Sequence, residues 1–269
     1  MLISLIVTTY NRPDALRAVL AGVAEQTDRD FELQVADDGS REETGRVVRE
    51  FAAAAPVPVR HVWHEDLGFR VAAIRNRAAA AASGTYLIFV DGDCVPMRNF
   101  VAQHRSLAAP GWVVAGNRLL LSEAFTRRVL DEQLPIHQWR LGDWIAARRR
   151  GDINRALPLL HLPLGPLRRL GGRRWPRLRG CNMGVWRTDL QRVNGFDESF
   201  QGWGFEDSDF AVRLINAGIG IKKGAFATGL LHLWHRENDR RREGENWERL
   251  QHRIASGATW AAQGLQEHG

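Results

Sequence analysis

Cysteine is scarce in this sequence, whose 269 residues contain only Cys94 and Cys181. Two cysteines are too few for a disulfide framework, and their spacing does not match a zinc site. We interpret both as ordinary buried thiols. The protein is therefore expected to fold without disulfide bonds and to work in a reducing cytosol.

Long hydrophobic runs are also absent. Nowhere do about 18 apolar residues follow one another without a charge, which excludes an ordinary transmembrane helix. Residues 1–9 are mostly apolar, but they have no basic leader, and the polar residues Thr8, Thr9 and Asn11 come at once. We interpret them as a buried first strand, and not as a signal peptide or a membrane span.

Positive charge, in contrast, is in excess, with a formal net charge of +6 and a pI near 10.2. An anionic partner is expected, and nucleic acid, acidic lipid headgroups, an acidic glycan and a nucleotide diphosphate are all candidates. Much of the excess lies in residues 148–179, around an apolar stretch broken by prolines. This segment is either a solvated basic loop or a contact with an acidic acceptor or with the inner face of the cytoplasmic membrane.

The first hundred residues alternate short β-rich runs with alanine-rich helical stretches, which is typical of a parallel sheet covered by helices. With 44% hydrophobic residues, the chain can bury the core of one large domain. We therefore predict an α/β fold with a mixed, mostly parallel sheet flanked by helices. The predicted strands are 2–9, 31–36, 57–63 and 85–90, and the predicted helices are 13–26, one that ends near 55, and 71–82. Asn11 would cap the first helix, and Asp38 or Ser40 the second.

The pattern changes beyond the first hundred residues. Residues 117–179 lose the alternation and predict a basic, tryptophan-rich insertion that is helical or irregular. Residues 180–236 are dense in glycine, tryptophan and acidic residues, and residues 237–269 predict a polar, amphipathic helix. We therefore expect a single domain, 1–269. Within it, 117–179 is an insertion between two other parts, 1–116 and 180–236, and 237–269 is a helical tail.

Two acidic clusters follow predicted strands. Asp37 and Asp38 come after the second strand, and Asp91-Gly92-Asp93 comes after the fourth. Ligands of open α/β sheets bind at this edge. The cluster Asp91-Gly92-Asp93 can bind Mg²⁺ or Mn²⁺, and such an ion neutralises a diphosphate leaving group. Asp37 and Asp38 can accept hydrogen bonds from a base or a ribose. The alternative for Asp91-Gly92-Asp93 is a surface turn, and the alternative for the cluster at Asp37 and Asp38 is a helix cap.

Other residues could complete such a site. Arg75 lies on the third predicted helix and could neutralise a diphosphate, whereas Arg77 is expected to face solvent. The adjacent acids Glu206 and Asp207 are framed by aromatic residues and glycines, which suits a general base in a partly dry pocket. Trp203 is our candidate for a sugar contact, although core packing is the commoner use of tryptophan.

Two histidines, His232 and His235, stand at positions i and i+3. Either imidazole could complete the coordination of a metal whose first ligand is Asp93. A lone histidine would more often be structural. The pair favours at least one metal ligand.

In chain order, these motifs resemble the family 2 glycosyltransferases of the GT-A fold. The resemblance covers about residues 2–116 and 178–236, and it rests on VTTYNRP, DDGS, GFRVAAIRNRAAAAASGTYLIFVDGD and RGCNMGVWRTDLQRVNGFDESFQGWGFEDSDFAVRL. The last run is also similar to the carboxyl part of β-1,4-galactosyltransferases and to bacterial chondroitin-type polymerases. The resemblance implies a Rossmann-like nucleotide-binding fold, with a nucleotide-sugar half in 1–116 and an acceptor and catalytic half in 180–236.

The resemblance also implies residue roles. The implied donor-binding set is Thr9, Tyr10, Asn11, Arg12, Asp37, Asp38, Arg75, Asp91, Gly92 and Trp203. The implied metal ligands are Asp91, Asp93, His232 and His235. Within the first set, Asp37 and Asp38 would hold the uridine. In the galactosyltransferases the second metal element is Met-x-x-His, so His235 matches its histidine while His232 replaces its methionine, and the choice between them stays open.

The implied reaction is an inverting, metal-dependent transfer of a sugar from a UDP-sugar to a hydroxyl group. Glu206 would bind the acceptor, and Asp207 would take the proton of its hydroxyl. Mn²⁺ or Mg²⁺, with Arg75, would stabilise the departing diphosphate. A glycan or a glycolipid is the expected acceptor, as in bacterial surface polysaccharide or lipopolysaccharide assembly.

Three other functions would account for some of these features. A nucleic-acid-binding protein would explain the high pI, but acidic side chains in a binding groove repel phosphates, so no nucleic-acid partner is expected. A glycan-binding relative without activity would not need the acidic motifs. A nucleotidyltransferase also places carboxylates and a metal at a strand edge, and it would release pyrophosphate from a nucleoside triphosphate.

Overall fold

The computed structural model describes residues 1–236 and 239–268, and its strands form two sheets. The strands are β1 (Ile3–Thr9), β2 (Phe31–Asp37), β3 (Val59–Trp63), β4 (Tyr86–Asp91), β5 (Cys94–Pro96), β6 (Trp112–Ala115), β7 (Asn117–Leu120), β8 (Asn182–Trp186), β9 (Gly220–Lys223) and β10 (Gly229–His232). The helices are α1 (Pro13–Ala24), α2 (Glu42–Ala52), α3 (Val71–Ala81), α4 (Phe100–Leu107), α5 (Glu123–Asp131), α6 (Leu141–Arg150), α7 (Arg187–Arg192), α8 (Glu206–Asn216) and α9 (Glu243–Ser256).

The larger sheet has seven strands in the order β3-β2-β1-β4-β8-β6-β9. The strands β3, β2, β1 and β4 are parallel, β8 runs antiparallel to both β4 and β6, and β9 is parallel to β6. The prediction of a mixed, mostly parallel sheet is confirmed. Because β1 and β4 are neighbours, their carboxyl ends place Thr9 and Asp91 at the same edge.

Helices cover both faces of this sheet. On one face, Leu5 and Val7 of β1 belong to a core that includes buried residues of α1, α2, α4, α5 and α6. On the other, Ile6 belongs to a core with buried residues of α3 and α8. The alternation of side chains along a strand explains this division, and the cover on both faces explains why every residue of β1 is buried.

A smaller sheet, β5-β10-β7, lies beside the acidic edge. Its β10 pairs antiparallel with β5, and in this register His232 lies opposite Cys94. The strand β5 begins directly after Asp93. The pairing therefore brings the histidine segment to the acidic cluster at 91–93.

The predicted helix caps are wrong. Arg12 is the N-cap residue of α1 and makes no side-chain cap bond, whereas Asn11 has φ 48° and its Oδ1 accepts a hydrogen bond from the Arg41 amide at 3.0 Å. The second helix begins at Glu42, after Arg41 as N-cap. The amide of Ser40 instead donates to Oδ1 of Asp37 at 2.8 Å. These polar side chains stabilise the turns at the sheet edge.

Residues 117–179 contain helical and irregular parts, as expected, together with a strand that was not predicted. They begin with β7, and α5 and α6 place Phe125 and Trp144 in the core. The later part is irregular and contains three short 3-10 helices. These 3-10 helices are Leu157–Leu159, Gly165–Arg169 and Trp175–Arg177.

The tail was predicted to be helical from 237 onward, and 237 and 238 lie outside the described residues. A helix is present as α9, which begins at Glu243 and buries Asn246 and Leu250. Within the part of the chain that the structure describes, no helix combines the length and the apolar character that crossing a membrane requires.

Candidate active site

A cleft of about 1360 Å³ opens at the carboxyl ends of β1 and β4. It brings together most of the residues that the sequence singled out. Those that line it are Thr9, Tyr10, Arg12, Asp38, Arg75, Asp91, Gly92, Asp93, Trp203, Glu206, Asp207 and His235. Asn11, Asp37 and His232 do not line it.

Asp37 lies behind the cleft wall. Its carboxylate is fully buried, accepts a hydrogen bond from the Ser40 amide, and lies 2.9 Å from Nε2 of His61. These contacts account for both oxygens. Asp37 therefore shapes the turn after β2, and the expectation that it holds a uridine does not fit its position.

Asp38 reaches the cleft but is held by the protein. Its Oδ1 lies 2.6 Å from Nε2 of His64, and its Oδ2 accepts a hydrogen bond from the Arg70 amide at 2.9 Å. The turn requires Gly39 at φ 92°, because a Cβ there would meet the backbone of Asp66 at 2.5 Å. His64 was missed by the sequence analysis, since a single histidine after a strand gives no distinctive signal.

Arg75 connects two acidic segments that are distant in the sequence. Its Nη2 donates to Oδ1 of Asp91 at 2.9 Å, and its Nη1 donates to Oε1 of Glu206 at 3.1 Å. Its side chain is only 3% exposed. Burial acts to lower the pKa of Arg75, but Asp91, Glu206 and Asp207 outweigh it and raise the pKa. The guanidinium thus lines the cleft with both of its terminal nitrogens bonded to protein carboxylates.

Arg118 on β7 is a cleft residue that the sequence analysis missed. Among the described residues its guanidinium has no hydrogen bond or ion pair. Burial acts to lower its pKa, and the nearby thiols of Cys181 and Cys94 and the carboxylates of Asp91 and Asp93 raise it. A half-buried cation beside the acidic cluster is suited to an anionic ligand. No sequence motif marks it, because only the β7–β10 pairing brings it there.

Asp93 faces both histidines. Its Oδ2 lies 3.3 Å from Nε2 of His235, and its Oδ1 lies 3.7 Å from Nε2 of His232. The Nδ1 atom of His235 is 2.7 Å from the carbonyl oxygen of Arg236, so that nitrogen donates, and Nε2 is the ring nitrogen that faces Asp93. His235 lines the cleft, whereas His232 is buried behind it.

Donor atoms of Asp93, Cys94 and His232 lie within 4.8 Å of one another, which also meets the spacing of a metal site. Burial raises the pKa of the Cys94 thiol well above its ordinary value. Burial also lowers the pKa of His232, against the opposing effect of Asp93. A protonated thiol is a poor ligand for a hard cation, so Asp93 with His235 is the better-suited pair.

Glu206 and Asp207 begin α8 and face the cleft. Asp207 accepts hydrogen bonds from the Gly180 amide at 3.0 Å and from the Ser208 hydroxyl at 3.2 Å. Burial and, after it, the charge of Asp207 raise the pKa of Glu206 to about 7, against the opposing effect of Arg75. The two adjacent acids therefore have different environments, which favours different chemical roles.

Two backbone features fix this arrangement. Phe205, the residue before α8, has φ 70°, a strained conformation for a residue with a side chain, and it turns the helix start towards the cleft. Gly180 packs against Arg75, because a Cβ at this position would come within 2.5 Å of Nη2. Glycine at 180 thus permits the bonds of both Arg75 and Asp207.

Trp203 lies at the outer part of the cleft. Its indole ring is stacked by the guanidinium of Arg240, whose Cζ is 4.6 Å from the ring centroid. Asn246 of α9 donates to the Trp203 carbonyl at 3.4 Å. The tail helix therefore supports the aromatic wall of the cleft.

Two curated relatives show the extent of the similarity in sequence. Validoxylamine A glucosyltransferase of Streptomyces hygroscopicus subsp. jinggangensis is 32% identical over 234 residues, which are 81% of this chain and 52% of the relative. Chondroitin synthase of Escherichia coli is 27% identical over 248 residues, which are 84% of this chain and 34% of the relative. The chain thus spans about half of the length of the first of these relatives and a third of the second.

Solved structures are similar in fold. The mannosyltransferase PcManGT from Pyrobaculum calidifontis, in complex with GDP-Man and Mn²⁺, matches with a TM-score of 0.60 at 20% identity, over 87% of this chain and 57% of that one. S. aureus TarS 1-349, in complex with UDP, matches with a TM-score of 0.62 at 16% identity, over 100% and 68%. The likeness shows that the fold is GT-A, as predicted.

Family models match both parts of the chain that carry the motifs. Residues 172–236 match the model described as the N-terminal domain of galactosyltransferase, which fits the similarity seen in the last motif. Residues 4–157 match the model of glycosyl transferase family 2. Since the second match covers more than half of the sequence, the chain belongs to glycosyl transferase family 2.

Proposed function

We propose that this protein transfers a sugar from a nucleotide diphosphate to a hydroxyl group of a glycan or glycolipid, with inversion at the anomeric carbon. One observation carries the proposal: Asp93, His235 and Asp207 line one cleft, although they come from three separate segments. A candidate metal-binding pair and a hydrogen-bonded carboxylate are thereby available in the same cleft. Membership of glycosyl transferase family 2 supports the reaction class.

Asp93 and His235 are the proposed ligands of Mn²⁺ or Mg²⁺. The Nε2 atom of His235 and a carboxylate oxygen 3.3 Å from it form a nitrogen and oxygen donor pair that a divalent cation such as Mn²⁺ can use. When bound, the ion would neutralise negative charge on the diphosphate. Asp91 is the third candidate ligand, through Oδ2, because its Oδ1 accepts from Arg75 and from Thr8.

UDP is the proposed nucleotide of the donor. A neighbour of the same fold is a complex with UDP, while another is a complex with GDP-Man, so the base has to be tested directly. The proposed nucleotide contacts are Thr9, Tyr10, Arg12 and Asp38, which lie on the wall formed by the ends of β1 and β2. Arg118 takes the role of diphosphate neutralisation that the sequence analysis gave to Arg75.

Asp207 is the proposed general base. It would take the proton of the acceptor hydroxyl, the oxygen would form the new bond to the anomeric carbon, and the bonding electrons would leave with the diphosphate oxygen. A single displacement of this kind inverts the carbon and needs no covalent enzyme intermediate. Hydrogen bonds from Gly180 and Ser208 orient the Asp207 carboxylate.

Glu206 is the proposed acceptor contact. With a pKa near 7, it exists in both protonation states around neutrality, so it can donate to or accept from a sugar hydroxyl. Trp203 offers an aromatic face to a sugar ring at the outer end of the cleft. Together these side chains favour a sugar-containing acceptor.

The basic segment 148–179 is the proposed contact to an anionic membrane surface. Leu157, Leu167 and Leu170 are more than half exposed, and several arginines lie beside them in the sequence. Apolar side chains among arginines suit the interface of an anionic bilayer. With the free thiols Cys94 and Cys181, this supports a cytoplasmic protein that contacts the inner face of the membrane.

A panel of nucleotide sugars tests the proposed function. Purified protein with Mn²⁺ is incubated with UDP-glucose, UDP-galactose, UDP-N-acetylhexosamines, UDP-glucuronate and GDP-mannose, and release of the nucleoside diphosphate is measured. We expect release from a UDP-sugar, and none without the metal. Pyrophosphate release from a nucleoside triphosphate instead would mean a nucleotidyltransferase.

Three variants separate the proposed roles. Asp93→Ala should lose metal-dependent binding of the donor. Asp207→Asn should keep donor binding but lose transfer by about 10²–10⁴-fold. Asp131→Asn, an exposed acid outside the cleft, should behave as the unmodified protein. Full transfer by Asp207→Asn would contradict the assignment of the base.

A further inference from the structure

A second cleft, of about 420 Å³, lies between α4, the irregular segment 161–169 and β9. It shares no lining residue with the active-site cleft. Its lining consists of Gln103, Ser106, Leu107, His161, Leu162, Pro163, Gly165, Pro166, Arg168, Arg169 and Lys222. Three of these residues are cations and none is an acid, which is unusual for a cleft that buries charge.

Lys222 is the central residue of this cleft. It is only 6% exposed, and no described residue forms a hydrogen bond or an ion pair with its ammonium group. Most of the Lys222 residue is covered by protein, and its ammonium group lines the cleft, so the hydration that offsets the missing partner is restricted to the cleft. The unpaired donor therefore points to a ligand that the polypeptide itself does not supply.

Arg168 beside it is also 6% exposed and has no carboxylate partner. Its guanidinium donates to the carbonyl oxygens of Leu162, Lys223 and Ala225 at 2.7–2.9 Å. These acceptors satisfy its hydrogen bonds but leave its positive charge uncompensated. The carbonyl bonds also fix the segment 161–169 over β9, so the cleft is built and does not need a ligand to form.

Two further groups face the same space. The guanidinium of Arg169 lies over the Trp112 ring, with Cζ 5.2 Å from the ring centroid. The Nε2 atom of His161 lies 2.6 Å from Oε1 of Gln103. Burial, and after it the charges of Arg169 and Arg168, lower the pKa of Lys222 to about 8. The cations repel one another, and an anion between them would remove that repulsion.

We propose that this second cleft binds a phosphate group, with Lys222 and Arg169 as its charged contacts. The apolar part of the lining, formed by Leu107, Leu162, Pro163 and Pro166, would contact whatever the phosphate is attached to. The phosphate belongs either to a soluble phosphorylated molecule or to a phospholipid headgroup. The same two cations would bind the phosphate of either molecule. This site is separate from the active-site cleft, where the donor is proposed to bind.

The composition of the chain makes the ammonium group directly observable. Lys222 and Lys223 are the only two lysines in the sequence, so protein labelled with ¹³C at the lysine ε-carbon gives two ε-carbon signals. Lys223 is the next residue of β9, is less buried, and does not line the cleft. Replacing each lysine with methionine assigns the signals.

The first experiment titrates the labelled protein with inorganic phosphate at constant ionic strength. We expect the Lys222 signal to shift and its titration midpoint to move upward by about one pH unit, while Lys223 does not respond. In thermal unfolding, phosphate at ten times its dissociation constant should raise the midpoint of the unmodified protein and of Lys223→Met by about 3 °C or more. Lys222→Met should lose this increase.

The second experiment identifies the source of the phosphate. Vesicles of phosphatidylglycerol in phosphatidylcholine, and vesicles of phosphatidylcholine alone, are used in a flotation assay with both methionine variants. Binding to the anionic vesicles that is lost in Lys222→Met assigns a lipid headgroup. Phosphate binding, together with vesicle binding that is the same in Lys222→Met and in the unmodified protein, assigns a soluble ligand. A Lys222 signal that does not respond to phosphate or to anionic vesicles would overturn the proposal.

Discussion

The Nε2 atom of His235 lies 3.3 Å from Oδ2 of Asp93, and the two residues come from segments that only the β5–β10 pairing brings together. The other nitrogen of His235 is held by the Arg236 carbonyl, so the ring orientation is fixed before any ligand binds. His232, three residues earlier, lies at 3.7 Å from the same carboxylate but is buried behind the cleft. The geometry therefore distinguishes two histidines that the sequence could not.

The first prediction concerns metal affinity. His235→Ala removes a proposed ligand and should weaken Mn²⁺ binding by more than about 100-fold, whereas His232→Ala removes a supporting group and should weaken it by about 10-fold. Isothermal titration of Mn²⁺ in the presence of UDP measures both. A greater loss in His232→Ala would mean that the buried histidine is the ligand.

A second prediction follows from the two ion pairs of Arg75. Arg75→Met leaves the mostly buried Glu206 and the half-buried Asp91 without this cation, and it should lower the free energy of unfolding by about 3 kcal/mol. Urea denaturation measures this change. Arg77→Met, on the exposed face of the same helix, is the control and should change stability by no more than about 0.5 kcal/mol. An equal effect of the two substitutions would contradict the structural role of Arg75.

The third prediction concerns the pH dependence of stability. The folded protein raises the pKa of Glu206 from 4.5 to about 7, chiefly through burial, so folding takes up a proton in this window. The stabilisation from this group is complete below pH 4.5 and is lost as the pH rises through 7. In metal-free buffer, the free energy of unfolding should therefore fall less for Glu206→Gln than for the unmodified protein as the pH rises from 5 to 8.

Urea denaturation across that range gives the comparison for Glu206. The free energy of unfolding is plotted against pH for the unmodified protein and for Glu206→Gln. The difference between these two curves should have a slope no steeper than about 1.4 kcal/mol per pH unit, the limit for one proton. Other titrating groups, including the histidines, are common to both proteins and cancel in the difference. Parallel curves would show that Glu206 keeps an ordinary pKa in the folded protein.

Much of the fold was predictable because its signals are local. Apolar runs such as 2–9 and 85–90 predict buried strands, and the acids that follow them fall at one sheet edge because the parallel order is common to such folds. The ordered motifs then identified the family. Alternation and motif order were enough for the sheet, the α/β class and the position of Asp91 and Asp93.

The partners of individual side chains were less predictable, because they depend on long-range packing. Arg75 looked free in the sequence, and only the fold shows that Asp91 and Glu206 occupy its guanidinium. Asp37 looked as accessible as Asp38, but the turn at Gly39 buries it. Arg118 belongs to no motif, and the pairing of β7 with β10 is what brings it to the cleft.

The last prediction concerns the tail helix α9. Arg253 donates to Asp209 at 2.7 Å and to Asp197 at 2.6 Å, and Asp209 also accepts from the buried Arg213 of α8. These bonds connect α9 to the helix that begins with the proposed catalytic acids. Arg253→Met should therefore release α9, with faster amide hydrogen exchange over 243–256 and a loss of about 3 kcal/mol in unfolding free energy.

Arg249→Met on the same helix is the matched control for Arg253, because Arg249 is exposed. Hydrogen exchange followed by mass spectrometry should show no change in this variant. Since Asn246 of α9 also bonds to the Trp203 carbonyl, a released helix should weaken the aromatic wall of the cleft and raise the acceptor KM more than it lowers kcat. Unchanged exchange over 243–256 in Arg253→Met would show that apolar contacts such as Leu250, and not the ion pairs, hold the tail in place.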